Sequence, residues 1–209
     1  MTTIMKQLLL LPFVFLVFNY GQRGNSKIGS INLNNDNQKL LGNKTYKTKP
    51  MGISINLYRV GKAEKFEDLK NLDAQISKTE DTRVNLYKIT EDLALIFLNT
   101  TDPFSDVNTI PYKMLYGRHC EKSIVVGVIG GFLPTSEITE ITKWIKKNKL
   151  DTFDGFSKMY DGLSNDVKKQ LEDIDEDDKV SLFNCYVRPL VVLYFTALEN
   201  QNSVVFVGQ

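Results

Sequence analysis

The two residues best suited to nucleophilic chemistry are His119 and Cys120, which are adjacent in the chain. A cysteine nucleophile needs a base that faces its sulfur and a third group that orients this base. Adjacent side chains usually point apart, and no orienting residue is identifiable nearby. The alternative is a surface histidine beside a buried or bridged cysteine. An enzyme, such as a hydrolase that uses Cys120 or a carboxylate, is therefore the second hypothesis for function, and its catalytic residues stay unassigned.

The chain has one further cysteine, Cys185. In an exported protein an even number of cysteines permits a disulfide, here Cys120–Cys185. A bridge across so long a loop would stabilise the fold by about 4 kcal/mol in the chain-entropy model. In a cytosolic protein both residues would instead be buried thiols.

The sequence predicts no bound metal and no cofactor. The acidic run at 173–178 resembles a calcium loop, but such a loop needs Gly and Glu where this chain has Asp178 and Asn184. The glycines at 127–131 lack the spacing of a phosphate-binding or dinucleotide-binding loop, so they indicate turns at a strand end.

Other residues could take part in catalysis or ligand binding, but no sequence pattern distinguishes them. The carboxylates Asp151 and Asp154 could act in acid–base catalysis, but carboxylates are plentiful along the chain. The side chains of Tyr112, Tyr116 and Trp144 are interpreted as core or rim residues rather than as a stack for a ligand.

The first 50 residues differ in composition from the rest. One lysine precedes an apolar run at 8–18, and the small residue Gly21 follows, which is typical of a secretory signal peptide over 1–21. This run is shorter than the roughly 20 residues that span a bilayer. We therefore expect export to the periplasm or the medium, with no stable membrane span after cleavage. Residues 22–50 are polar and predict a flexible linker.

The predicted domain, 51–209, is long enough for a real core. The whole chain has 26 basic and 25 acidic residues, of which residues 1–50 hold seven and one, so the domain has a net charge of about −5. This charge argues against a nucleic-acid partner, which would require a basic surface.

Apolar periodicity predicts the elements of this domain. Strands are expected at 53–60, 124–129 and 203–207, with Gly130 and Gly131 closing the second. Helices are expected at about 64–78, 90–98, from 135, at 151–161, up to 171 and at 182–197, and Pro189 must kink or restart the last one. Residues 104–123 are predicted to be irregular and 172–178 to be an acidic loop. The fold class is α+β, a single compact domain of several helices on a small mixed or antiparallel sheet.

Several segments of this domain resemble the YfbM-like family of small bacterial α+β proteins of unknown function. They are Met-Gly-Ile-Ser-Ile at 51–55, the stretch 86–103 that ends in Leu-Asn-Thr-Thr-Asp-Pro, Leu-Pro-Thr-Ser-Glu at 133–137, and 194–208. The resemblance supplies no catalytic residues. Its members usually begin at the methionine matched by Met51, which implies a cytoplasmic protein if translation starts there.

The leading hypothesis is a non-enzymatic, exported module that binds another protein, for example as an immunity protein or an inhibitor. It depends on an acidic single domain, a long tether and the lack of a convergent catalytic set in the sequence.

Overall fold

The structure, a computed structural model, describes residues 54–86, 89–171 and 174–208. Within them, one antiparallel sheet has the strand order β2-β1-β5-β4-β3. Its strands are β1 (Ile55–Val60), β2 (Val84–Asn85), β3 (Arg118–Ile124), β4 (Gly127–Leu133) and β5 (Ser203–Gly208). The last strand of the chain is thus central, and it reads as a continuous apolar run because both of its faces are covered.

The helices form two unequal layers on this sheet. They are α1 (Leu72–Lys78), α2 (Thr90–Leu98), α3 (Ile110–Tyr116), α4 (Thr135–Lys147), α5 (Phe153–Asp161), α6 (Asn165–Leu171), α7 (Glu176–Leu182) and α8 (Arg188–Glu199). Short 3-10 turns at Phe66–Asp68 and Glu80–Thr82 flank α1. Val204 and Phe206 of β5 face the large cluster under α2 to α8, whereas Val205 and Val207 face a smaller cluster under α1. The α+β fold class is confirmed.

The sequence placed several elements correctly. The structure confirms the first strand, the last strand and the helix Thr90–Leu98. The helix predicted at 64–78 is shorter, because Asn71 adopts a left-handed conformation (φ 52°) directly before α1. The signal peptide at 1–21, the linker at 22–50 and the domain start at Met51 lie outside the described residues.

The prediction of an irregular segment at 104–123 is wrong. Pro111 stands in the first turn of α3, where its missing N–H costs nothing, and the Thr109 hydroxyl accepts from the Tyr112 N–H as the cap. The strand β3 follows at the sheet edge, with exposed residues on both of its faces. Such a strand lacks the apolar alternation by which strands are recognised in a sequence.

Two further boundaries differ from the sequence prediction. Gly130 and Gly131 lie inside β4 rather than closing it, at a shift of register against β5. The acidic segment does not stay a loop, since α7 begins at Glu176 and the Asp175 carboxylate caps it by accepting from the Asp178 N–H.

Pro189 acts on the last helix as its chemistry requires. A π-helical segment, Phe183–Val187, joins α7 to α8, and Pro189 lies in the first turn of α8. The proline removes the N–H that would bond the Cys185 carbonyl, and the wider π turn accommodates it. The run from Glu176 to Glu199 is long and apolar enough to cross a membrane by length and composition alone. Here it serves as a core helix, in which Leu190, Tyr194 and Ala197 are buried.

Candidate binding surface

The structure places the His119–Cys120 pair on the edge strand β3 without an active-site geometry. His119 is exposed, whereas Cys120 is half-buried against the smaller hydrophobic cluster. Burial, together with the nearby carboxylate of Glu67, raises the pKa of the Cys120 thiol to about 11. Because the thiolate is the nucleophile, a thiol that stays protonated at neutral pH gives no support to cysteine catalysis.

We expect slow alkylation of Cys120 in the folded protein. Its thiolate fraction near pH 8 is more than about a hundredfold below that of an exposed cysteine. A Cys185→Ser variant isolates Cys120 for rate measurements with iodoacetamide from pH 7 to 11. The rate should keep rising through this whole range in the folded protein and level off near pH 9 in urea. Fast labelling of folded protein at pH 7 would contradict the assignment of a protonated thiol.

The disulfide considered from the sequence is not formed in the structure. Cys120 and Cys185 are both free thiols. Cys120 packs toward the small cluster under α1, while Cys185 belongs to the π segment in the helical layer on the other side of the sheet. The fold therefore does not bring the two sulfurs together.

The carboxylates named from the sequence do not enclose a site either. Asp151 and Asp154 are exposed on the two sides of Thr152, whose hydroxyl caps α5 by accepting from the Gly155 N–H. In the described part of the chain, no group of three or more His, Cys, Asp or Glu residues is placed to hold a metal ion.

The surface feature that the sequence analysis missed is a cluster of three aromatic rings at α3. This aromatic patch consists of Phe104, Tyr112 and Tyr116, with ring centroids 4.8 Å apart for the tyrosines and 5.5 and 6.2 Å from Phe104 to Tyr116 and Tyr112. Phe104 is 55% exposed and Val107, in the same loop, is 47% exposed. Contiguous exposed apolar side chains of this kind mark interaction sites more often than isolated ones do.

Two hydrogen-bonded turns in the loop before α3 fix the backbone around Phe104. The carboxylates of Asp102 and Asp106 accept from the N–H groups of Phe104 and Asn108, each at 3.1 Å, which shapes two turns before α3. The rings of Tyr112 and Tyr116 then meet because they are four residues apart on one helix.

Contacts with the sheet and with α8 fix the helix itself. A Cβ atom on Gly131 would lie only 1.9 Å from the carbonyl oxygen of Tyr116, so α3 can approach β4 this closely only at a glycine. Gly117 (φ +69°) ends α3 against the Phe206 ring. From the other side, the buried Tyr194 hydroxyl donates to the Met114 carbonyl at 2.5 Å. The aromatic patch is thus carried by a helix seated directly on the central strands.

An ion cluster next to the patch joins two cations to one carboxylate. Glu137 on α4 accepts from Arg118 (2.9 Å at Nε and 2.6 Å at a terminal nitrogen) and from Lys113 (3.0 Å). Burial alone would raise the pKa of Glu137, but the hydrogen bonds from Arg118 and Lys113 outweigh burial and lower it. The carboxylate therefore stays ionised and offsets one of the two positive charges, which leaves the cluster with a net charge of +1.

Acidic residues of α2, which packs on α3, also lie near the patch. Burial raises the pKa of Tyr116, and the carboxylates of Glu91 and Asp92 in the first turn of α2 raise it further.

The sequence carried a signal for this surface in Phe104 after Pro103, followed by Tyr112 and Tyr116 at helical spacing. The prediction of an irregular segment at 104–123 hides this signal, because it provides no helix on which the two tyrosines could meet. Trp144, by contrast, packs half-buried against Phe97.

Comparison with known proteins adds little to this geometry. No family model matches the chain, and no curated protein matches it. Among solved structures, the crystal structure of YfbM from Escherichia coli, a protein of unknown function, is 16% identical with a TM-score of 0.49. The alignment covers 75% of this chain and 100% of that chain. This is a weak fold-level link, and it brings no function.

Proposed function

We propose that this chain is an exported, non-enzymatic module that binds another protein through the aromatic patch, as an immunity protein or an inhibitor does. The observation that supports it is the exposure of Phe104 in contact with two tyrosine rings. Aromatic side chains held in a rigid frame lose little entropy on binding and are enriched among the residues that dominate interface energies.

The state of the cysteines and carboxylates agrees with a binding role. Cys120 is protonated at neutral pH, and the acids Asp151 and Asp154 stand exposed on a helix end. The leader pattern at 1–21 supports export of the module.

The test is a comparison of Phe104→Ala with Val125→Ala in native cells, with each variant purified from separated cytoplasmic and exported fractions. Val125 is 88% exposed in the β3–β4 turn, so its truncation also removes an exposed apolar side chain but far along the sheet edge from α3. We expect one stoichiometric partner in the exported fraction with wild type and with Val125→Ala. Phe104→Ala should weaken its binding about tenfold or more.

Two results would count against the proposal. One is recovery of the wild-type chain alone at native abundance. The other is a partner that Phe104→Ala retains as well as wild type does, because the aromatic patch would then not be the interface. Circular dichroism of both variants checks that the fold is unchanged.

A further inference from the structure

The aromatic patch has a charge asymmetry that selects among partners. On one side, Lys113 and Arg118 are both bonded to Glu137, which offsets one of their two positive charges and leaves this ion cluster with a net charge of +1. The helix α2, which packs on α3, presents the exposed carboxylate of Glu91. In the part of the chain that the structure describes, Glu91 has no ion-pair partner.

The loop that carries Phe104 adds to this asymmetry. Asp102 and Asp106 are exposed, and each bonds a backbone N–H of its own turn. Their charges are therefore retained at the surface beside the ring. An exposed aromatic face bordered by carboxylates is the environment that attracts a cation through both the ring quadrupole and Coulomb interaction.

We propose that the aromatic patch together with Glu91 binds an arginine side chain of the partner protein, with the guanidinium stacked on Phe104 and paired with the Glu91 carboxylate. Arginine fits this surface better than lysine because its planar group stacks on a ring while its N–H fork bonds a carboxylate. The inference rests on the proposed function and names the chemistry of its partner.

The test uses three blocked peptides, Ac-Gly-Gly-Xaa-Gly-Gly-amide, in which Xaa is arginine, lysine or citrulline. Citrulline has nearly the shape of arginine without the charge. Each peptide is titrated into the isotopically labelled full chain, and the ring signals of Phe104, Tyr112 and Tyr116 are followed by NMR. We expect saturable shifts with the arginine peptide, with dissociation constants on the order of 1 mM or above. Lysine should bind more weakly and citrulline most weakly.

Two substitutions test separately the contribution of the Phe104 ring and that of the Glu91 carboxylate to binding. Glu91→Gln should weaken the arginine peptide about fivefold and remove its advantage over citrulline. Glu140→Gln is the matched control, because Glu140 is an exposed carboxylate on α4 whose charge is already paired with Lys143, and it should change nothing. Phe104→Ala should abolish the ring shifts.

Equal binding of the arginine and citrulline peptides, or no effect of Glu91→Gln, would overturn the inference. So would dimerisation of the wild-type chain that Phe104→Ala abolishes, because the occupant would then be a second copy. If Phe104→Ala still prevents partner capture while arginine shows no preference, the arginine inference alone fails. If capture survives Phe104→Ala, the proposed function fails.

Discussion

Replacing Gly131 with alanine is expected to lower the free energy of unfolding by about 3 kcal/mol. The new methyl group would lie 1.9 Å from the Tyr116 carbonyl oxygen and 3.3 Å from the Phe206 Cβ. Neither strand can yield easily, because Gly131 pairs with His119 of β3 and with Phe206 of β5. The clash must therefore push α3 away from the sheet. Urea denaturation followed by circular dichroism measures the loss.

The neighbouring glycine supplies the control for this experiment. A Cβ on Gly130 would meet no atom within 4 Å, and its φ angle is not in the left-handed region. Gly130→Ala should therefore change stability by less than about 0.5 kcal/mol. Equal destabilisation by the two variants would show that the Tyr116 carbonyl of α3 does not approach Gly131 of β4 as closely as it does in the structure. Since α3 carries Tyr112 and Tyr116, only Gly131→Ala should also shift the tyrosine ring signals.

The sequence predicted the elements whose burial is regular. In β1, Ile55 and Leu57 alternate with Asn56, which identifies the strand, although the structure also buries the face that holds Asn56 and Tyr58. The stripe of Ile138, Ile141 and Ile145 on α4 gives the same kind of signal at helical spacing. Local periodicity therefore indicates the type of these elements, whereas the burial of the second face of β1 depends on packing with α1 that it does not report.

The elements that the sequence did not predict are those that other elements hold in place and that lack a regular apolar pattern of their own. The strand β3 is exposed on both faces and owes its conformation to pairing with β4. The seven-residue helix α3 depends on its cap, on Gly131 and on a hydrogen bond from Tyr194, which is 80 residues away. The Thr109 cap is a local signal for the helix, but no window of local sequence contains the contacts with Gly131 and Tyr194, so the position of the candidate site on the sheet could not be derived from it.

The second large effect is expected at two buried tyrosines, Tyr58 and Tyr194, whose hydroxyl groups differ in hydrogen bonding. The Tyr194 hydroxyl donates to the Met114 carbonyl, whereas the Tyr58 hydroxyl has no hydrogen-bond partner among the described residues. Burial raises the pKa of both side chains, so each remains a neutral phenol at ordinary pH. The two positions therefore separate the loss of a hydrogen bond from the loss of a buried polar atom.

Tyr194→Phe should cost about 1–3 kcal/mol, because it leaves the Met114 carbonyl buried without its donor. Tyr58→Phe should cost nothing or stabilise the fold by about 1 kcal/mol, because it removes a hydroxyl that was desolvated without a partner. The two variants are compared by urea denaturation under the same conditions, with unchanged m-values as the sign that the unfolded state is not altered. Destabilisation by Tyr58→Phe as large as that by Tyr194→Phe would mean that the Tyr58 hydroxyl has a partner in solution. A neutral Tyr194→Phe would mean that α3 does not depend on α8, and its position on the sheet would then rest on the two glycine contacts alone.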